Sequence, residues 1–409
     1  MTGGAFTDAV DEARIQRRID EIAAIGGSDD GGVTRLAYSA EETEAFDYVR
    51  AELPDEYGTR TDSMGNLYAS TDLDADRTRL VGSHLDSVYS GGRLDGVLGV
   101  VVALEALEVL ATTGATPVVP PTLAVFRAEE SARFGQHTIG SRGALGMLTT
   151  DDFACTDEND VPLWLAIQRT GFQPTDLSEP TLDLDRIERF FETHIEQGRV
   201  LDEADEALGV VTSIRAPVRH EVTVTGDYDH SGATPMDLRN DALAAAGELV
   251  VAVEEAATDA DDVVATVGDI TAHDGAINTV CGRVTFPLDV RSDAVDPRDE
   301  AESAIQERFA AVAERRGVDV STTELDRSEP VDLAEAAVGD LVDAVDALDV
   351  PARRMPSGGG HDAMNLQQAG VPTGMLFVPS VDGVSHSPRE ETYPESIRAA
   401  AAAMAGALV

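Results

Sequence analysis

His84, Asp95, Glu130, His194 and His386 are scattered over a 409-residue chain, and each stands in a local setting suited to metal binding. To serve one site, distant stretches of polypeptide have to converge. The settings are Gly-Ser-His84-Leu-Asp86-Ser, Gly91-Gly-Arg-Leu-Asp95-Gly, Arg-Ala-Glu129-Glu130, Thr-His194-Ile-Glu-Gln-Gly and Val-Ser-His386-Ser-Pro. Two imidazole-rich shells sharing one aspartate suit a pair of divalent cations, which lower the pKa of a trapped water and polarise a carbonyl. A hydrolase is the leading reading.

Each signal is weak by itself. A lone His-x-Asp is common, although residues two apart at a strand end share a side, so Asp86 can support His84. An aspartate after Gly-Gly is most simply a turn residue. Glu129-Glu130 competes with Glu41-Glu42, Glu254-Glu255 and Glu390-Glu391, all read as solvated surface pairs. What separates it is its place after the buried run Leu123 to Phe126. Adjacent carboxylates at a strand end point opposite ways, so one can bind metal while the other acts as general base. Of the eight histidines, His230 is placed to reach a substrate oxyanion, and His361 precedes Asp362 at a helix start. His137, His220 and His273 are read as structural or exposed.

The acid content bounds the partners. Seventy-six acidic against 30 basic residues give a net charge of −46, and every basic residue is arginine. Nucleic acid and anionic membranes are repelled by such a field. With 43% hydrophobic residues the chain still fills a core, so the acidity implies a surface solvated in a very salty cytoplasm and a halophilic protein. Cys155 and Cys281 form neither a zinc knuckle nor a disulfide framework. The start Met-Thr-Gly-Gly-Ala-Phe has no signal-peptide pattern, and a soluble, cytoplasmic enzyme is expected. Neither a Gly-x-Ser-x-Gly elbow nor a P-loop is present.

The length suggests roughly two to three domains. Helix and strand alternate through the first half: a capping box at Ser39 to Glu42 opens a helix ended by Pro54, a short strand over 79–82 delivers His84, an apolar helix covers 96–110, and a strand over 122–127 delivers the Glu pair. Catalytic groups at strand carboxyl ends suit an open α/β sheet. The stretch 151–184 reads as irregular and polar, a peripheral excursion around Trp164. From Ile214 the order becomes β-α-β-β-α-β, with strands over 221–225, 263–270, 284–290 and 318–325 and helices over 237–257 and 297–316. That order predicts a ferredoxin-like α+β domain inserted at 214–325 into a discontinuous catalytic domain of 1–213 and 326–409, an α/β domain with a mixed sheet and helices on both faces.

Taken together, Gly82 to Val88, Gly91 to Gly99, Glu129-Glu130 with Arg133-Phe-Gly135, Gly140 to Arg142, His194 to Gly198, His230 to Arg239, Ser357 to Ala363 and Ser385 to Pro388 resemble the hydantoinase/carbamoylase branch of the dinuclear metallopeptidase superfamily. The branch contains N-carbamoyl-L-amino acid hydrolases, β-ureidopropionases and allantoate amidohydrolases. The resemblance implies one ion on His84, Asp95 and His194, another on Asp95, Glu130 and His386, and Glu129 as general base. It implies substrate contacts from Gln197, His230, Asn278 and Arg291, and a homodimer through the inserted domain, which acts as a lid. Arg291 suits a substrate carboxylate bidentately. Zinc, manganese, cobalt and nickel all tolerate such ligands. His194 sits where related peptidases carry a carboxylate, which argues against a peptidase or aminoacylase; the intact base and ligands argue against a non-catalytic binding protein. Tyr89 and Ser131 depart from the branch's usual proline and glycine.

Overall fold

A computed structural model of the chain describes residues 3–173 and 179–409. It divides into a large unit, Met1–Thr212 with Leu333–Val409, and a small unit, Ser213–Asp332. The small unit runs beyond the expected Leu325 because its last long strand continues to Arg327 and a short strand, Val331–Asp332, pairs with Ser213 and Ile214.

The large unit is built on a mixed sheet in the order 58–61, 67–70, 121–126, 78–84, 187–195, 373–378, 208–214, with 352–357 also beside 208–214. Four neighbouring strands in the middle, 121–126, 78–84, 187–195 and 373–378, run parallel. Their residues are buried almost throughout, as parallel strands covered on both faces must be. The helix Val97–Thr113 is longer than its apolar run suggested and buries nearly every residue of its first three turns. Glu105 is tolerated inside it because Arg14 donates to both carboxylate oxygens at 2.7 Å.

Two local expectations are corrected. Ser39 does cap the helix Ala40–Glu52, accepting from the Glu42 amide, but the Glu42 carboxylate does not return to the Ser39 amide. It is fully buried and accepts from Tyr38 N, Arg127 Nη1 and Ala128 N, so Glu42 is no solvated surface residue. The 151–184 stretch forms short helices, Thr150–Ala154 and Leu163–Arg169. These bury Phe153, Leu163, Ala166 and Ile167 with Met64, Phe134 and Ile139. Trp164 stays exposed, and residues 174–178 of that stretch lie outside the described ones.

In the small unit four strands are antiparallel in the order 319–327, 216–225, 283–292, 263–266, with helices Ala242–Thr258 and Val295–Arg316 between them in sequence. This is the ferredoxin-like order. The first helix starts later than its apolar pattern suggested, because Asp241 caps it through Leu243 N and Ala244 N while 236–238 form a separate 3-10 turn. The strand expected over 263–270 stops at Thr266. Val222, Val224, Leu249, Phe286, Phe309 and Ile305 form its core. No helix among the described residues is long and apolar enough to cross a membrane.

Candidate metal centre

The carboxyl ends of the four parallel strands face one way, and the five scattered residues meet there. His84 ends its strand opposite Phe126, and His194 lies opposite Phe377. Glu129 and Glu130 do not continue the 121–126 strand. Ala128 turns the backbone into the left-handed region, φ 56°, and Asp86 then receives the amides of both glutamates at 2.9 Å, one on each carboxylate oxygen. Asp86 also lies 3.3 Å from His84 Nδ1, so this buried residue fixes both glutamates and stands beside His84. Gly96, φ 66°, precedes the 97–113 helix, and a Cβ there would fall 2.4 Å from the His84 ring. The tight turn around Asp95 therefore needs glycine both for its backbone angle and for the space His84 occupies.

The ligand atoms of His84, Asp95 and His194 lie within 4.8 Å of one another, as do those of Asp95, Glu130 and His386. His194 Nε2 is 3.0 Å and His84 Nε2 3.7 Å from Asp95 Oδ1. On the other side His386 Nε2 is 3.3 Å from Asp95 Oδ2 and 3.4 Å from Glu130 Oε1. The adjacent glutamates diverge, Glu130 toward His386 and Glu129 toward His84, at 3.8 Å. The ring of His194 is oriented by its Nδ1, 3.0 Å from the Ile195 carbonyl, leaving Nε2 to the site. Glu130 Oε1 is buried without a hydrogen-bond partner among the described residues. Such an orphaned oxygen beside an imidazole and a second carboxylate is what a cation would satisfy, so the donor set fits divalent metal.

The electrostatics follow from packing carboxylates and imidazoles without water. Burial, with Asp95 adding to it, pushes Glu130 up to about 7. Burial and the nearby Glu130 raise Glu129 well above the carboxylate range, against the pull of His84. Burial by itself would raise Asp95, but His194, His386 and His84 hold it well below its ordinary value. The hydrogen bond to Asp95 lifts His386 to about 9 despite its partial burial.

Of the residues assigned to substrate, Gln197 stands at the centre: its Nε2 donates to Asp95 Oδ2 at 2.7 Å and its backbone is left-handed, φ 61°. His230, Asn278 and Arg291 belong to the small unit. His230 is exposed, and the strand carrying it pairs with Thr279, so Asn278 lies beside it. Its Nδ1 accepts the amides of Gly232 and Ala233 at 3.2 and 3.1 Å, which leaves the proton on Nε2 as a donor. Arg291 is held on one edge by Asp289, at 2.7 and 3.0 Å. His220 is buried against Glu302, at 2.7 Å, and His273 meets Thr285.

Sequence reasoning missed two residues here. Glu390, read as half of a solvated pair, is 4% exposed and accepts the amides of Leu94 and Asp95. Nothing in the string separates it from Glu391; only burial does. Ser385 donates to Asp95 Oδ2 at 3.2 Å, and its place next to His386 was the available signal. His361 is buried with its ring 4.5 Å from that of His194 and its Nε2 3.0 Å from Ser357 Oγ, so it packs against His194.

Comparison with known proteins agrees over most of the chain. Residues 80–409 match the model of peptidase family M20/M25/M40. The chain is 38% identical over 387 residues to an N-carbamoyl-L-amino acid amidohydrolase of Geobacillus stearothermophilus, covering 93% of this chain and 94% of that one. It is 34% identical to an allantoate amidohydrolase of Bacillus subtilis, covering 91% of each. A crystal structure of an amidase of the hydantoinase/carbamoylase family from Burkholderia multivorans superposes with a TM-score of 0.90 at 32% identity, covering 98% of this chain and 97% of that one. With sequence and fold in agreement over this extent, the chain belongs to peptidase family M20/M25/M40, in its hydantoinase/carbamoylase branch.

Proposed function

We propose that this protein is a metal-dependent amidohydrolase that cleaves the ureido C–N bond of N-carbamoyl-L-amino acids, releasing ammonia and carbon dioxide. The observation that carries the reading is the sharing of Asp95 between two ligand groups, with Glu129 at their edge. Allantoate and β-ureidopropionate remain as alternative substrates, the first because an allantoate amidohydrolase is among the relatives.

His84, Asp95 and His194 would hold one divalent ion and Asp95, Glu130 and His386 a second, of zinc, manganese, cobalt or nickel. Bound there, such ions supply Lewis acidity to the substrate carbonyl and acidity to water. Glu129 takes the proton of the attacking water and delivers it to the leaving nitrogen. Water adds to the ureido carbon, the bond to the terminal nitrogen breaks, and ammonia leaves a carbamate that loses carbon dioxide to free the amine. His230, donating through Nε2, steadies the developing oxyanion. Arg291, already aligned by Asp289, receives the substrate carboxylate, with Gln197 and Asn278 as further polar contacts.

We assign the small unit, Ser213–Asp332, the roles of lid and dimer contact. Leu243, Val251 and Val264 are exposed on its helix and its outermost strand, which supports pairing with a second copy. Leu243→Glu with Val251→Glu should shift the mass in light scattering from dimer to monomer.

The test of activity is ammonia release in molar salt with added divalent metal, across N-carbamoyl-L-amino acids, β-ureidopropionate, allantoate and N-acetyl amino acids. Turnover of the carbamoyl compounds is expected. Activity confined to the acetyl compounds would instead identify an aminoacylase.

A further inference from the structure

Resting on the reading of Asp95 as the shared metal ligand, we propose that Glu390 is a positioning residue that aims Asp95 from behind. The side-chain end of Asp95 is contacted by Gln197, Ser385 and the two imidazoles His194 and His386. Its backbone end is held differently. Glu390 Oε2 accepts both the Leu94 amide, at 2.7 Å, and the Asp95 amide, at 3.0 Å. A carboxylate taking two successive amides fixes the peptide between them, and with it the direction in which the Asp95 side chain leaves the backbone.

Three further observations favour a clamp over incidental packing. Glu390 is 4% exposed, and its other oxygen has no hydrogen-bond partner among the described residues, so these two amides are what its carboxylate serves. The carboxylate lies against Gly92, where a Cβ would fall 2.2 Å from Glu390 Cδ; the turn before Asp95 is cut to admit it. Glu390 also follows His386 on one loop. That loop thus supplies a ligand to one side of Asp95 and a latch to the other, so the two are set in register together.

The test uses metal-free full-length protein in molar salt, titrated with Co²⁺ and read by visible absorption and by metal analysis after equilibrium dialysis. Glu390→Ala and Gly92→Ala should weaken Co²⁺ binding about 10–100-fold, the range for residues that orient ligands. Glu390→Gln keeps an acceptor oxygen and should stay close to wild type. Metal-free, Glu390→Ala and Gly92→Ala should melt below wild type, since two buried amides lose or loosen their acceptor, and Glu390→Gln close to it, so Co²⁺ affinity is read well below each melting transition. Glu390→Ala binding Co²⁺ like wild type would overturn the proposal, and so would Glu390→Gln being as weak as Glu390→Ala. If Glu390→Ala does not fold, Gly92→Ala decides, since it leaves the glutamate in place and displaces only its carboxylate. Failure of the underlying reading looks different: Asp95→Asn would then bind as much Co²⁺ as wild type.

Discussion

The two units dispose of the same excess of acid in opposite ways. In the small unit the buried polar residues are Ser213, His220, Ser292 and Arg298, and every buried carboxylate among the described residues belongs to the large unit. No acid of the small unit is buried among the described residues, and Glu254 and Glu255 are exposed on its first helix, over a core of valine, alanine, isoleucine and phenylalanine. The large unit buries Glu42, Asp86, Asp95, Glu105, Glu129, Glu130, Asp152, Asp157, Glu192, Glu196, Asp362 and Glu390. An unpaired buried charge costs several kcal/mol, so each needs a reason to be there. Glu42 and Glu105 have arginines, at 2.6 and 2.7 Å. Asp86 and Glu390 serve backbone amides. Asp95 and Glu130 meet imidazoles. These buried acids of the large unit thus come with an arginine, backbone amides or imidazoles, while no acid of the small unit among the described residues is buried.

That contrast breaks or sharpens under four changes. The largest effect is expected from salt. A surface of net charge −46 is screened over about 3 Å in molar salt but over about 10 Å at 0.1 M, so dilution should abolish activity and helical circular dichroism; full stability in dilute, metal-replete buffer would refute a halophilic surface. Next, Glu129→Gln should lower kcat about 10²–10⁴-fold with the bound metal unchanged, and near-normal turnover would remove it from the role of base. Third, Glu42→Ala should destabilise by about 3–5 kcal/mol because Arg127 is left buried without its partner. Glu254→Ala in the small unit should stay within about 0.5 kcal/mol, and equal losses in urea melts would erase the distinction drawn between the units.

The smallest effect concerns Asp289. Burial would raise its carboxyl, but the hydrogen bonds from Arg291 and Arg219 outweigh that and hold it below its usual value. A group lowered in the folded state stabilises above its unfolded pKa, about 3.9 for aspartate, and loses that contribution as pH falls through the lower folded value. Asp289→Asn should therefore lower stability slightly at neutral pH, where that contribution is present, and converge on wild type below about pH 4, so that its acid limb is flatter. An unchanged acid limb would count against the pair as it stands.

The string itself carried much of this. The 3.6-residue and two-residue periods placed the 97–113 helix and the strands ending at His84 and Phe126 within a few residues, and the β-α-β-β-α-β order of the small unit appears as read. The strand 187–195, which brings His194 to its place, was not marked, because its sequence Ile-Glu-Arg-Phe-Phe-Glu-Thr-His-Ile mixes charge into a buried run. Its Glu192 is inside only because Ser83 and the Ala363 amide meet it there. Local pattern has no access to such a partner.

Sequence alone singled out the candidate metal and proton-transfer residues, because histidine is scarce, at eight residues, and the Glu129-Glu130 pair follows a buried run. It also determined the acid surface and the switch of architecture near residue 214. Tertiary structure alone decided which carboxylates lose water. Glu42 and Glu390 read like Glu41 and Glu391 until the fold closes over one of each pair. The reason is that a carboxylate's cost and use depend on solvent and on donors from far along the chain, such as Arg127 for Glu42 and the Leu94 and Asp95 amides for Glu390, and a linear string does not record who those neighbours are.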